Sequence, residues 1–123
     1  MTDKESISRL FDLWNLAVIS GDPDRVLECY ADNAVLLPTL SARVRHNHRE
    51  IRDYFEHFLA GEPEGKVIEK NIRIFGDIAV NSGLYDFHMH RSGKTVSARF
   101  TFVYRNYPKG WLIVEHHSSP LPG

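Results

Sequence analysis

From Lys66 to Ser119 the chain reads as four long strand segments separated by three tight turns. No other feature limits its fold as much. The turns are Gly76-Asp77, Ser92-Gly93 and Tyr107-Pro108-Lys109-Gly110. Gly-Asp and Ser-Gly steps between alternating segments are the chemistry of antiparallel hairpins. In the first segment Val67, Glu69, Asn71, Arg73 and Phe75 alternate with Ile68, Lys70, Ile72 and Ile74, and the second set is expected to be the apolar side. The second segment runs from Ile78 to His90. The third, from Thr95 to Arg105, sets Ala98, Phe100, Phe102 and Tyr104 on an apolar face and Ser97, Arg99, Thr101 and Val103 on the other. The last, Gly110-Trp-Leu-Ile-Val-Glu-His-His-Ser-Ser119, is an apolar run that ends in a polar cluster stopped by Pro120 and Pro122.

What precedes this meander is helical. Residues 3–20 carry a stripe of Leu10, Leu13, Trp14, Ala17 and Val18, with Thr2 or Asp3 as cap and Ser20-Gly21 as stop. Asp22-Pro23 restarts a short helix, because Asp is a good cap and Pro loses nothing at the first helical position. Asp32-Asn33 reads as a turn, and Ala34–Leu37 as a short strand ended by Pro38. Residues 39–46, with Arg43 and Arg45, form a loop over the mouth of the fold. A third helix spans about 47–60, with Ile51, Tyr54, Phe55 and Phe58 on one face and Asn47 with Glu50 resembling a capping box.

Helices first and long strands after is an α+β order. A long antiparallel sheet twists and must curl to bury its apolar face on few helices. The expected fold is a cone-shaped, curved antiparallel sheet packed against N-terminal helices, one domain over residues 1–123, with a pocket at its open end. The 123 residues, 42% of them hydrophobic, are enough for a single core. A formal net charge of -1 gives no footprint for nucleic acid or an anionic membrane. One cysteine, Cys29, excludes an internal disulfide and fits a reducing compartment. With no apolar run of spanning length and no basic start to an export signal, the cytoplasm is the expected location.

The order and spacing of several segments resemble a known family. They are Ser20-Gly-Asp-Pro23, Tyr30-Ala-Asp-Asn-Ala-Val-Leu-Leu-Pro38, Asp53-Tyr-Phe-Glu-His-Phe-Leu59, Gly76-Asp77 and Trp111-Leu-Ile-Val-Glu-His-His-Ser-Ser119 with Pro120. Together they are similar to the nuclear transport factor 2-like superfamily, which includes SnoaL-like cyclases and steroid isomerases. More narrowly, they resemble the association (hub) domain of calcium/calmodulin-dependent protein kinase II and its free-standing bacterial relatives, the SgcJ/EcaC type. The resemblance implies a cone with a deep pocket between sheet and first helix, and self-association through the sheet. It implies no kinase activity, since the chain has no Gly-rich loop, catalytic Asp loop or metal-binding Asp motif. Kinase hubs line the pocket with arginines that attract carboxylates. Aligned on the hairpins, those positions hold Asp86, Phe102 and Ser118 here.

Alternation splits His116 from His117: His116 and Ser118 are expected inward, His117 on the outer face. His116 and Asp86 are the candidates for proton transfer, against a hydrogen-bonded structural His and a paired or exposed Asp. The expected pocket lining is Trp14, Tyr30, Tyr54, Phe58, Asp86, Arg99, Phe102, His116 and Ser118. Arg99 is either an anion-binding pocket residue or an intersubunit ion pair, and register decides between them. Tyr85, Glu115 and His117 are the interface candidates. Two His-x-His pairs, His46/His48 and His88/His90, have spacing that zinc can use, but neither has a carboxylate or Cys at ligand spacing and no metal is expected. No cofactor is expected either, because no dinucleotide fingerprint is present to support hydride transfer.

The leading functional reading is therefore a hub-like association module whose partners are itself and a small organic molecule. The rival is a cofactor-independent isomerase, cyclase or hydratase of the SnoaL-like kind.

Overall fold

The computed structural model describes residues 2–123. Helix α1 covers Lys4–Ser20, α2 Pro23–Leu27 and α3 His48–Phe58, which a single 3-10 turn, Leu59–Gly61, extends. The strands are β1 Tyr30–Leu37, β2 Pro63–Phe75, β3 Ile78–Met89, β4 Lys94–Tyr107 and β5 Gly110–Pro120. They form one curved, unclosed sheet in the order β1-β5-β4-β3-β2. Neighbours from β2 to β5 are antiparallel, and β1 joins the far edge parallel to β5. No helix among the described residues is long and apolar enough to cross a membrane.

The helix ends follow from local chemistry. Asp3 accepts the Ser6 N–H at the start of α1, and Gly21 closes it in the left-handed conformation at φ 76°. Asp22 caps α2 ahead of Pro23. Asn47 caps α3 by accepting the Glu50 N–H, while the Glu50 carboxylate reaches back past the cap to the His46 N–H.

The core lies between the concave face of the sheet and α1 and α3. From α1 the buried residues are Ile7, Phe11, Trp14 and Val18. Of the expected stripe, Trp14 and Val18 are buried and Leu10 and Ala17 pack against the core, while Leu13 is 60% exposed and Phe11, not in the stripe, is buried. Residues 7, 11, 14 and 18 share one side of the helix, from which Leu13 is turned away, and the Phe11 ring lies between Trp14, Tyr85 and Phe102. Asn15 binds α1 to β2 with two reciprocal bonds, donating to the Gly65 carbonyl and accepting the Gly65 N–H, both 2.9 Å. Because β2 is the sheet's edge, this amide stands where a further strand would pair.

Three irregularities shape the sheet. In β2, Val67 pairs with Tyr85 but Glu69 with Leu84, so Ile68 is an extra residue. Inward-facing positions switch there from odd to even, which places Val67, Ile72 and Ile74 against the core and leaves Ile68 54% exposed. Unbroken alternation, which put Ile68 with Ile72 and Val67 opposite, therefore fails. Gly83 lies opposite this bulge, and a Cβ there would collide with the Glu69 carbonyl. In β5, Val114 is the extra residue between the pairs Tyr104–Ile113 and Val103–Glu115. In β1, Asp32-Asn33 is an excursion inside a longer strand, between Tyr30 and Val35, not a turn before one.

Candidate functional site

The site is built on the inward face of β5. Beyond the Val114 bulge, His116 and Ser118 point into the concave side and Glu115 and His117 point out. His116 is 3% exposed. Its ring stacks on Phe102 with centroids 4.0 Å apart and meets Trp14 edge-on at 5.6 Å. Both ring nitrogens have partners: the Tyr30 hydroxyl lies 2.9 Å from Nδ1 and the Tyr85 hydroxyl 3.2 Å from Nε2. Burial, with a smaller contribution from His117, pushes the His116 pKa down to about 3, so the ring is neutral at ordinary pH.

These bonds belong to a longer chain. The Trp14 indole N–H donates to the Tyr30 hydroxyl at 3.1 Å. The Tyr85 hydroxyl donates to Ser118 Oγ at 2.7 Å. Ser118 and Thr39 are joined hydroxyl to hydroxyl. An indole can only donate, so Tyr30 accepts from it and spends its own hydrogen on His116 Nδ1. His116 then carries its proton on Nε2 and donates it to Tyr85. This is the one arrangement that leaves neither buried tyrosine hydrogen unpaired. Burial raises both phenol pKa values above the ordinary range, so Tyr30 and Tyr85 are neutral as well.

A cavity of about 30 Å³ opens beside this chain. It has room for one or two waters, not for an organic molecule in the structure as it stands. Of the residues named from the sequence, Trp14, Tyr54, Phe58, His116 and Ser118 line it. So do Leu36, Thr39, Leu40, Phe55, Tyr85, Phe87, Val96 and Ala98. Outside it lies a cleft of about 430 Å³ bounded by Arg43, Arg45, Asp53 and His57. Leu40, Tyr54 and Phe58 border both spaces and form the partition between them. Arg45 is buried and committed, donating to Asp53 at 2.7 Å, to the Glu50 carbonyl at 3.0 Å and to Ser41 at 3.2 Å. Its hydrogen bond and charge hold the Asp53 carboxyl below its usual pKa.

Several expected site residues are elsewhere. Asp86 pairs with Lys66 and Ser97 on the outer face and lines a shallow surface hollow with Glu64 and His88. Strand β3 turns Tyr85 and Phe87 inward, which excludes Asp86 from the cavity and from any contact with His116. For the same reason Tyr85 is not an interface residue: it is 2% exposed and central to the inner network. Arg99 is exposed on the outer face of β4, between Leu84 and Ser119, and is not a pocket residue. Tyr30 and Phe102 are buried against His116 behind the cavity wall. Glu115 and His117 are exposed on the outer face. His90 has a carboxylate neighbour after all, Glu64 at 2.8 Å across the hairpin, which local spacing could not reveal. Among the described residues no three His, Cys, Asp or Glu side chains form a metal-holding group.

The curved sheet, the helices on its concave side and the cavity between them define a protein of the nuclear transport factor 2-like class. The calcium/calmodulin dependent protein kinase II association domain matches residues 3–122, and the chain belongs to that family. A solved structure from Xanthomonas campestris, provisionally described as such an association domain, is 40% identical with a TM-score of 0.94, over 99% of this chain and 90% of that one. An NTF2-like protein from Novosphingobium aromaticivorans shares the fold at 17% identity and TM-score 0.82, over 98% and 83% of the two chains. A Streptomyces avermitilis protein of the NTF2-like family, provisionally named a dehydratase, does so at 18% and 0.81, over 97% and 96%. No curated protein matches this chain.

Proposed function

We propose that this chain is an association module that assembles with copies of itself through the outer face of its sheet and holds a small organic molecule on the inner face. It has no kinase activity of its own. The observation that carries this reading is the division of labour along β5. His116 and Ser118 face the cavity, while Glu115 and His117 face outward on a surface that no helix among the described residues covers. Val80 and Val103 stand side by side on that outer face, next to Glu115, and Leu84 stands beside Arg99. The polar row Ser82, Thr101 and His117 runs between these apolar residues, and such a mixed face, carrying Arg99 and Glu115 as well, suits a second copy of the same surface, which can pair the charges across a twofold axis. Membership of the association-domain family supports the same reading. Entry of a ligand requires Leu40, Tyr54 and Phe58 to part, since they separate the cavity from the cleft. Cys29 is half-buried, and burial raises its thiol to about pKa 11, which leaves it an unreactive group.

The rival proton-transfer enzyme keeps His116 as a cavity-lining imidazole but loses Asp86 as its partner, and both nitrogens of His116 are already engaged by tyrosines. Sedimentation of the wild-type chain tests the association reading. A mass of at least two 14.2 kDa chains at micromolar concentration supports it, and a strict monomer overturns it.

A further inference from the structure

We infer that the inner cavity selects a neutral, largely apolar molecule carrying a hydrogen-bond acceptor of the carbonyl kind, and that Thr39 and Ser118 supply the donor. This deepens the ligand part of the proposed function and rests on it.

The argument is a count of hydrogens. The chain Trp14, Tyr30, His116, Tyr85, Ser118, Thr39 has six polar hydrogens, one on each neutral side chain, and five links between its members. One hydrogen is therefore left over. Trp14 is a pure donor at one end, so direction is forced along the chain and the surplus collects at the other end. If Ser118 donates to Thr39, the spare hydrogen is on Thr39. If Thr39 donates to Ser118, which already accepts from Tyr85, the spare hydrogen is on Ser118. Neither hydroxyl donates to any other group among the described residues, and both line the cavity. The cavity wall thus presents an unspent O–H to whatever enters.

The rest of the lining sets the remaining chemistry. It is aromatic and aliphatic apart from Thr39, Ser118, His116 and the tyrosine hydroxyls, and no lining residue is a carboxylate, Lys or Arg. A carboxylate or ammonium buried there would lose its hydration without gaining a counter-ion. The cationic groups of this end of the molecule, Arg43 and Arg45, lie in the outer cleft beyond Leu40, Tyr54 and Phe58, and Arg45 is already paired with Asp53. The inner site is therefore selective against charge and for an acceptor.

The test is an NMR titration of the full chain with four shape-matched probes: cyclohexanone, cyclohexane, cyclohexanecarboxylate and cyclohexylammonium. Cyclohexanone is expected to shift the Thr39 and Ser118 amide signals and to bind about tenfold more tightly than cyclohexane, the worth of one neutral hydrogen bond. Both ions are expected to bind more weakly than the ketone. The Thr39→Val, Ser118→Ala double variant takes away the acceptor of the Tyr85 hydroxyl, which also lines the cavity, so the spare hydrogen passes to Tyr85 and the largest ketone-induced shift is expected to move from residues 39 and 118 to Tyr85. Equal affinity of the wild type for ketone and alkane, or tighter binding of either ion, overturns the inference while leaving a ligand pocket in place. If no probe enters, the inference falls together with the ligand part of the proposed function. The comparison within the wild type stands even if the double variant does not fold.

Discussion

The Tyr85 hydroxyl meets His116 Nε2 at 3.2 Å although β3 and β5 are not neighbours in the sheet. Strand β4 lies between them, so flat strands would hold the two residues roughly 10 Å apart. Curvature of the sheet and the length of the phenol close that gap over the inner side of β4. The site is thus a product of the curl: a flatter sheet with the same pairing would leave His116 without its second partner.

Replacing Tyr85 with Phe removes a hydroxyl that accepts from His116 and donates to Ser118. The fold is expected to survive with a loss of about 1–3 kcal/mol, the cost of leaving buried polar groups unpaired. Urea denaturation measures it. Tyr30→Phe is expected to cost a similar amount, because it strands the Trp14 N–H and His116 Nδ1.

Acid sensitivity follows from His116. Its folded pKa, about 3, lies below the ordinary 6.5, so the unfolded chain binds the proton more readily. Stability from this group is complete above pH 6.5 and is lost as pH falls from there toward 3. The full loss is on the order of 5 kcal/mol. Carboxylates held low, such as Asp53, act in the same direction but only below about pH 4. Stability measured between pH 6.5 and 4.5 is expected to fall in the wild type and to stay nearly flat in His116→Gln.

Gly83→Ala is expected to cost more than an ordinary strand substitution, because its Cβ would strike the backbone of Glu69 at the β2 bulge and not a side chain that could move. A loss of about 2–3 kcal/mol, with amide exchange accelerated in β2 and not in β5, is the expected pattern.

Asn15→Ala leaves the Gly65 N–H and carbonyl on the open edge of the sheet. Edge groups reach water more readily than interior ones, so the expected loss is about 1–2 kcal/mol. Exchange of the Gly65 amide is expected to rise more than that of its neighbours.

The meander, the caps at Asp3, Asp22 and Asn47, and the inward turn of His116 and Ser118 were all legible in the sequence, because each depends on neighbours within a few residues. What was not legible depends on register. Residues 84–88 alternate whichever way the strand faces, so nothing local decides between Tyr85 and Asp86 as the inner residue. Phe87 and the apolar face of β4 were the available signal, since Tyr85 and Phe87 on one side match Ala98 and Val96 across the pairing. The bulge at Ile68 left no mark in composition: a residue inserted between two apolar neighbours looks like continued alternation. The Thr39 contact joins a loop to a strand 79 residues away, and no pattern in the sequence encodes it.

We propose that the outer face of the sheet, not the helical side, joins copies of this chain. Sedimentation of Val103→Glu beside the wild type tests it most directly, because Val103 lies between Val80 and Glu115 on that face and plays no part in the cavity. A dimer or larger assembly is expected for the wild type and a folded monomer for the variant at the same micromolar concentration. An unchanged assembly in the variant, or a wild-type monomer, would contradict it.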